Sequence, residues 1–173
     1  GGQAVLGGTA MALAAAREAL GEETRGSITY PLRLPLHSAF HTALLRGARG
    51  RAQTELTGLQ WRRPSIPLID GQGQSWRPLH ASPGALRDYT LGHQITEPFD
   101  FTAMVRTALG DYGPDVVILP GPGGSLGSAI AQVMIEMGWR GLRSRDAFLA
   151  RQATDPVLIS MSRPDQRARV CTM

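Results

Sequence analysis

Lysine and asparagine are both missing from the 173 residues, and all 18 basic side chains are arginine. Without lysine there is no P-loop lysine, no lysine Schiff base and no serine–lysine dyad. A single cysteine, Cys171, leaves nothing to pair with in a disulfide scaffold, and fits a reducing, cytoplasmic setting. No apolar run approaches the ~20 residues needed to span a bilayer, and no signal-peptide pattern opens the chain, so no membrane partner is expected. Aromatic residues make up only 6% of the chain and charged residues 18%. With 42% hydrophobic residues, this excludes a disordered tail and allows one core, or one core plus a small lobe. Arginine in place of lysine, alongside much alanine and glycine, is the mark of GC-rich codon usage. The net charge of +4 is modest and the arginines are scattered, so no nucleic-acid partner is expected. The chain opens on Gly1 rather than methionine and runs at once into a strand pattern, so it is expected to be the C-terminal portion of something longer.

What is present alternates between strand and helix patterns. Gln3–Gly8 reads as a short strand, with Thr9 capping an alanine-rich helix over 10–20. Residues 27–36 are β-rich but carry Pro31 and Pro35, so they read as an edge strand that completes a β-α-β unit. A helix is expected from His41 to about Gly58, a short strand over 64–69 and a loop over 71–83. Helices are then expected over 83–91 and 99–109. The clearest strand, 115–119, leads through Pro120-Gly121-Pro122-Gly123-Gly124 into an apolar helix over 125–137. One further helix (146–152) and strand (156–161) close the pattern. Alternation of this kind means α/β with a mainly parallel sheet.

Two segments invite chemistry. Gly123-Gly124-Ser125-Leu126-Gly127 matches the GxSxG nucleophile elbow, between a strand and a helix as an elbow requires. Against it, all four histidines (His37, His41, His80, His93) precede Ser125, whereas the elbow fold orders serine, acid, histidine. The extra Pro120-Gly121-Pro122 also lengthens a turn that should be tight. The favoured reading makes Ser125 a helix N-cap, with a serine hydrolase using Ser125 as the alternative. The second segment runs from Leu34 to Leu45 and holds His37 and His41. Pro35 disfavours a helix that would align the two as metal ligands, and no third ligand lies nearby, so no metal is expected.

Ser38-Ala39-Phe40-His41-Thr42, following a proline and leading into a helix, resembles the active-site histidine motif of malonyl-CoA:acyl carrier protein transacylases and polyketide-synthase acyltransferase domains. The resemblance continues in order. The 3–8 strand and its helix are similar to the end of that family's small subdomain, and 64–69 to its next core strand. His93–Pro98 resembles a Q-x-x-x-P segment beside the histidine, and the 117–123 stretch resembles a Gly-Pro-Gly turn. The resemblance covers roughly residues 1–140 and implies α/β architecture. Residues 1–37 would be a β-α-β remnant of a ferredoxin-like small subdomain. Residues 38–173 would be the C-terminal part of a hydrolase-like parallel-sheet core.

On that resemblance His41 is the general base that activates a serine and protonates the leaving thiolate, and Gln94 orients its imidazole. Phe40 lines the acyl pocket and favours malonyl over an α-methyl branch, with Ser38 and Gly123 also beside the substrate. The family's nucleophilic serine lies in an earlier elbow that this chain does not contain, so a missing N-terminal half or companion chain is expected to supply it. No cofactor is implied, because the coenzyme A thioester is a substrate. The partner implied is an acyl carrier protein, which the exposed arginines Arg46, Arg49 and Arg51 could steer if they are more than a solvated face. A non-catalytic module that binds the carrier protein remains a further alternative.

Overall fold

The computed structural model describes residues 4–34, 37–121 and 123–171. Gln3, Pro35, Leu36 and Pro122, which the sequence reading placed in strands and in the Gly-Pro-Gly turn, lie outside the described residues. In chain order the elements are α1 (Ala10–Leu20), β1 (Glu23–Arg25), β2 (Ile28–Tyr30), a 3₁₀ turn (Ala43–Leu45), α2 (Arg46–Glu55), β3 (Leu68–Ile69) and β4 (Ser75–Trp76). There follow α3 (Pro83–Asp88), a π turn (Tyr89–His93), α4 (Gln94–Thr96), α5 (Phe101–Asp111), β5 (Val117–Leu119) and α6 (Leu126–Glu136). A 3₁₀ turn (Trp139–Gly141), α7 (Arg145–Thr154), β6 (Leu158–Ser160) and α8 (Pro164–Cys171) complete the chain. The result is a mixed helix and strand fold with three two-stranded sheets among the described residues.

The N-terminal segment departs from the expected β-α-β unit. Residues 4–9 form no strand. The helix that follows is where the sequence puts it: the Thr9 hydroxyl accepts from the Ala12 amide (3.2 Å), and Gly21, at φ 69°, closes the other end by donating to the Arg17 and Glu18 carbonyls. β1 and β2 then pair antiparallel, Glu23 opposite Tyr30 and Arg25 opposite Ile28. The cause is local. Gly26-Ser27 is a two-residue loop with Gly26 at φ 64°, which closes a hairpin, whereas a parallel partner would need a long crossover. The expected strand over 64–69 contracts to Leu68–Ile69, because Pro64 and Pro67 bring no amide to a ladder.

The chain divides into two compact units. One gathers Leu68–Ser75 and the chain from Asp100 onward. Its core is Val105 and Leu109 of α5, Ile130, Ala131, Val133 and Met134 of α6, Trp139, Leu142, and Val157 and Leu158 at β6, with Met134 wholly buried. β5 and β6 pair in parallel, Val117 with Leu158 and Leu119 with Ser160. This is the parallel pair among the described strands whose register is defined along its whole length. The other edge of β6 is closed by side chains. Gln152 of α7 accepts from the Val157 and Leu158 amides (2.8 and 3.1 Å) and donates to the Leu158 carbonyl (2.8 Å). Gln166 of α8 accepts from the Ser160 amide (2.8 Å), and the Ser160 carbonyl takes the Arg163 amide (3.1 Å). No backbone polar group of that edge is left to be buried without a partner.

In the same unit the Asp70 carboxylate accepts from the Gln72 and Gln74 amides, both at 2.9 Å. This forms the turn that Asp70-Gly71 announces in the sequence. Gly73 in that turn lies at φ 76°, and a Cβ there would come within 3.1 Å of Ala103, so only glycine fits.

The other unit comprises Ala4–Pro67 and Trp76–Phe99. Among the described residues its buried apolar side chains are Ala81, Leu86 and Leu91, around the helix-and-π-turn segment that runs from Pro83 to Thr96. α1 buries no residue, and Val5 and Met11 are 79% and 81% exposed. Among the described residues no helix is long and apolar enough to cross a membrane.

Candidate active site

The second unit brings His41 and Gln94 together. His41 lies in a turn that precedes the helix rather than inside it. The expected helix from His41 begins only at the 3₁₀ turn Ala43–Leu45 and continues as α2. Thr42 explains the delay: its hydroxyl donates to the Ala39 carbonyl (2.7 Å) and accepts from the Leu44 amide (3.3 Å), capping the 3₁₀ turn. The Phe40 amide donates to the Ser38 carbonyl (2.8 Å), which tightens the bend just before the histidine. The outcome is a left-handed backbone at His41, φ 59°. That conformation costs a non-glycine residue of order 1–2 kcal/mol and is held by its surroundings.

The half-buried imidazole is fixed on two sides. Its Nδ1 lies 2.6 Å from the main-chain oxygen of Gln94. A carbonyl only accepts, so Nδ1 carries the proton and donates. In the neutral form of such a ring the lone pair is on Nε2, the nitrogen then open to proton transfer. The ring also packs against Phe99, centroids 5.2 Å apart at 47°. Gln94 itself follows the π turn: its amide donates back to the Tyr89 and Gly92 carbonyls. π turns of this kind interrupt helices most often where a site needs a displaced backbone. The turn carries its own aromatic stack, His93 on Tyr89 at 5.5 Å and Tyr89 against Trp76 at 5.9 Å.

The remaining sequence candidates fall as follows. Ser38 is exposed. Phe40 is 56% exposed, with its ring edge-on to His37 at 6.5 Å. Arg46, Arg49 and Arg51 are exposed on α2, where the Arg49 guanidinium rests over buried Gly92. Gly123 belongs to the first unit. It lies on the exposed turn after β5 at φ 78°, its carbonyl accepting from the Ser162 hydroxyl (2.9 Å). Ser125, in the same unit, occupies the N-cap position of α6, but its side chain makes no capping bond, contrary to expectation. Its backbone is ordinary right-handed helix, φ −61° and ψ −31°. A nucleophile elbow is a strained turn that lifts its serine out of the chain path. Nor does the unit that holds Ser125 contain any histidine.

Two residues that sequence reasoning passed over shape the histidine's setting. Phe99 follows directly on the His93–Pro98 segment and supplies the ring face. Gly7, read as the end of a strand, instead packs beneath the histidine turn, where a Cβ would lie 2.9 Å from the Thr42 methyl. Position after a motif was the signal for Phe99; no local signal marked Gly7. Among the described residues no group of three or more histidine, cysteine, aspartate or glutamate side chains is placed to hold a metal ion.

No protein-family model matches the chain, and no curated protein matches it in sequence. Among solved structures the chain is similar to the crystal structure of an acyl-carrier-protein S-malonyltransferase from Burkholderia pseudomallei 1710b. It aligns over 84% of this chain at 20% identity with a TM-score of 0.59, and the chain spans 40% of that protein's length. At that identity the likeness is one of fold: the chain shares its mixed helix and strand architecture with part of a malonyltransferase.

Proposed function

We propose that the chain carries the general-base histidine of an acyltransferase site that moves a malonyl-type acyl group from a coenzyme A thioester to the phosphopantetheine thiol of an acyl carrier protein. The observation that carries this reading is the 2.6 Å contact between His41 Nδ1 and the Gln94 carbonyl. It supports a ring whose Nδ1 carries a proton and whose Nε2 is turned to other work, on a turn whose backbone is held in a disfavoured conformation. The fold shared with a malonyltransferase supports the same reading, as does the order of motifs along the chain.

In this mechanism His41 Nε2 takes the proton of a serine hydroxyl as the oxygen attacks the thioester carbonyl. It then returns the proton to the departing coenzyme A thiolate. The same nitrogen next deprotonates the pantetheine thiol, which attacks the acyl-serine ester, and reprotonates the serine. The Gln94 carbonyl orients the ring and stabilises the imidazolium through its dipole, where other triads use a carboxylate. The serine is supplied by a segment or companion chain outside these 173 residues. Phe40 faces the acyl group and opposes an α-methyl branch, a discrimination worth roughly 1–3 kcal/mol. Ser38 contacts the substrate in this reading. We read β5 and β6 as part of a hydrolase-like core, and the N-terminal helix and hairpin as part of the small subdomain.

The test is the intact mass of the denatured preparation after incubation with malonyl-CoA, followed by transfer to an acyl carrier protein. One malonyl group is expected on a serine outside the described chain. The His41→Ala variant should be slowed on the order of 10²–10⁴-fold. Equal labelling in the His41→Ala variant, or a malonyl group on Ser125, overturns the reading. Carrier-protein binding without any acyl transfer would leave a non-catalytic module.

A further inference from the structure

The oxygen that holds His41 is a helix carbonyl, and such an oxygen ordinarily has a partner already. In an α-helix the carbonyl of residue i accepts from the amide of residue i+4. The ladder is intact just before this point, the Glu97 amide donating to the His93 carbonyl at 2.9 Å. The next rung would run from residue 98 to the Gln94 oxygen. Residue 98 is proline, which has no N–H. Proline also bars helical backbone from the residue before it, and Glu97 lies accordingly at φ −109°, ψ 152°, in the extended region. One residue thus ends the helix and leaves the Gln94 carbonyl without its helical donor.

We propose that Pro98 is a positioning residue: by withholding an amide proton it reserves the Gln94 carbonyl for His41 Nδ1–H and so sets the tautomer of the imidazole. Pro98 is exposed, so core packing does not account for it. An amide at position 98 would draw the carbonyl along the helix axis, lengthen the bond to the ring and release the tautomer. Free neutral imidazole carries its proton chiefly on the ε nitrogen, the wrong one for a base at Nε2. The inference rests on the reading of His41 as a base for its functional meaning, but not for its structural content.

The experiment compares two replacements in the full chain. Pro98→Ala introduces the amide. An ester-linked lactic acid at position 98, installed in place of proline, has the alanine side chain but no N–H. The readout is the ¹⁵N resonances of the His41 ring above its titration range, assigned with a His41→Gln variant. The unmodified protein should show a protonated Nδ1 and a bare Nε2. Pro98→Ala should shift this towards the opposite tautomer, and the ester should restore it. An unchanged pattern in Pro98→Ala, or equal loss in both replacements, overturns the proposal, since the second result would credit the ring and not the missing proton. Where malonyl transfer is measurable, Pro98→Ala should lower kcat by on the order of 10- to 100-fold with KM little changed. If the tautomer shifts as expected but no preparation transfers an acyl group even with the serine-bearing segment supplied, the acyltransferase reading fails while the role of Pro98 stands.

Discussion

The methyl group of Thr42 occupies the place where a side chain on Gly7 would have to begin. A Cβ at Gly7 would lie 2.9 Å from Thr42 Cγ2 and 3.4 Å from the Ala39 backbone. The bare backbone of the N-terminal segment therefore seats the turn that carries His41.

Gly7→Ala is expected to displace that turn and to destabilise the protein by about 1–3 kcal/mol, the usual cost of forcing one extra methyl into a filled space. Thr42→Ser removes the obstructing methyl but keeps the hydroxyl that bonds Ala39 and Leu44. Urea unfolding of both single variants and the double variant checks the contact. The double variant should recover part of the loss, and strict additivity would show that the two positions do not meet.

The left-handed backbone at His41 predicts an unusual ranking of substitutions. His41→Gly should be more stable than His41→Ala by about 1 kcal/mol, because both lose the ring but only glycine enters φ 59° freely. At a right-handed or extended site the order would be reversed. Thermal unfolding of the pair decides it, and neither variant should retain base catalysis.

Gln152 serves three backbone groups at β6. Gln152→Ala should cost about 2–4 kcal/mol, since it leaves buried amides and a carbonyl without partners. The denaturant midpoint should fall with an unchanged slope. Gln152→Ala unfolding at the parental midpoint would show that water replaces the side chain.

At the surface, the Arg163 guanidinium hydrogen-bonds the Asp165 carboxylate and holds its pKa below the usual aspartate range. A depressed carboxylate pKa contributes stability that is present above the unfolded value and is lost as pH falls through the folded value. Both side chains are exposed, so the effect is small and salt-sensitive. A carboxyl ¹³C titration should show a low midpoint for Asp165. That midpoint should rise in the Arg163→Gln variant and in concentrated salt.

These contacts mark what the sequence made legible and what it did not. α5, α6, β5 and β6 follow from apolar periodicity and turn residues, because their order is dictated by one shared core. α8 was missed: its Pro164 start is clear, but no apolar stripe announces it and no residue of it is buried. The hairpin at 23–30 was misread as half of a crossover, because Gly26 decides the pairing and weighs little beside the prolines that follow. In the candidate site, the pairing of His41 with position 94 came from a resemblance, since the two residues are 53 apart and no periodicity joins them. The participating atom was out of reach in principle. Every residue has a carbonyl, so the identity of Gln94 says nothing of its main-chain oxygen. Gly7 and the π turn are products of tertiary packing, which local propensity does not encode.

The clamped edge of β6 gives the parallel pair a direction of growth. The Leu158 amide and carbonyl are taken by Gln152, the Ser160 amide by Gln166 and the Ser160 carbonyl by the Arg163 amide. A further strand arriving at that side would find no free donor or acceptor. An extension of this sheet, by this chain or any other, must therefore add beyond β5, and β6 is its permanent border.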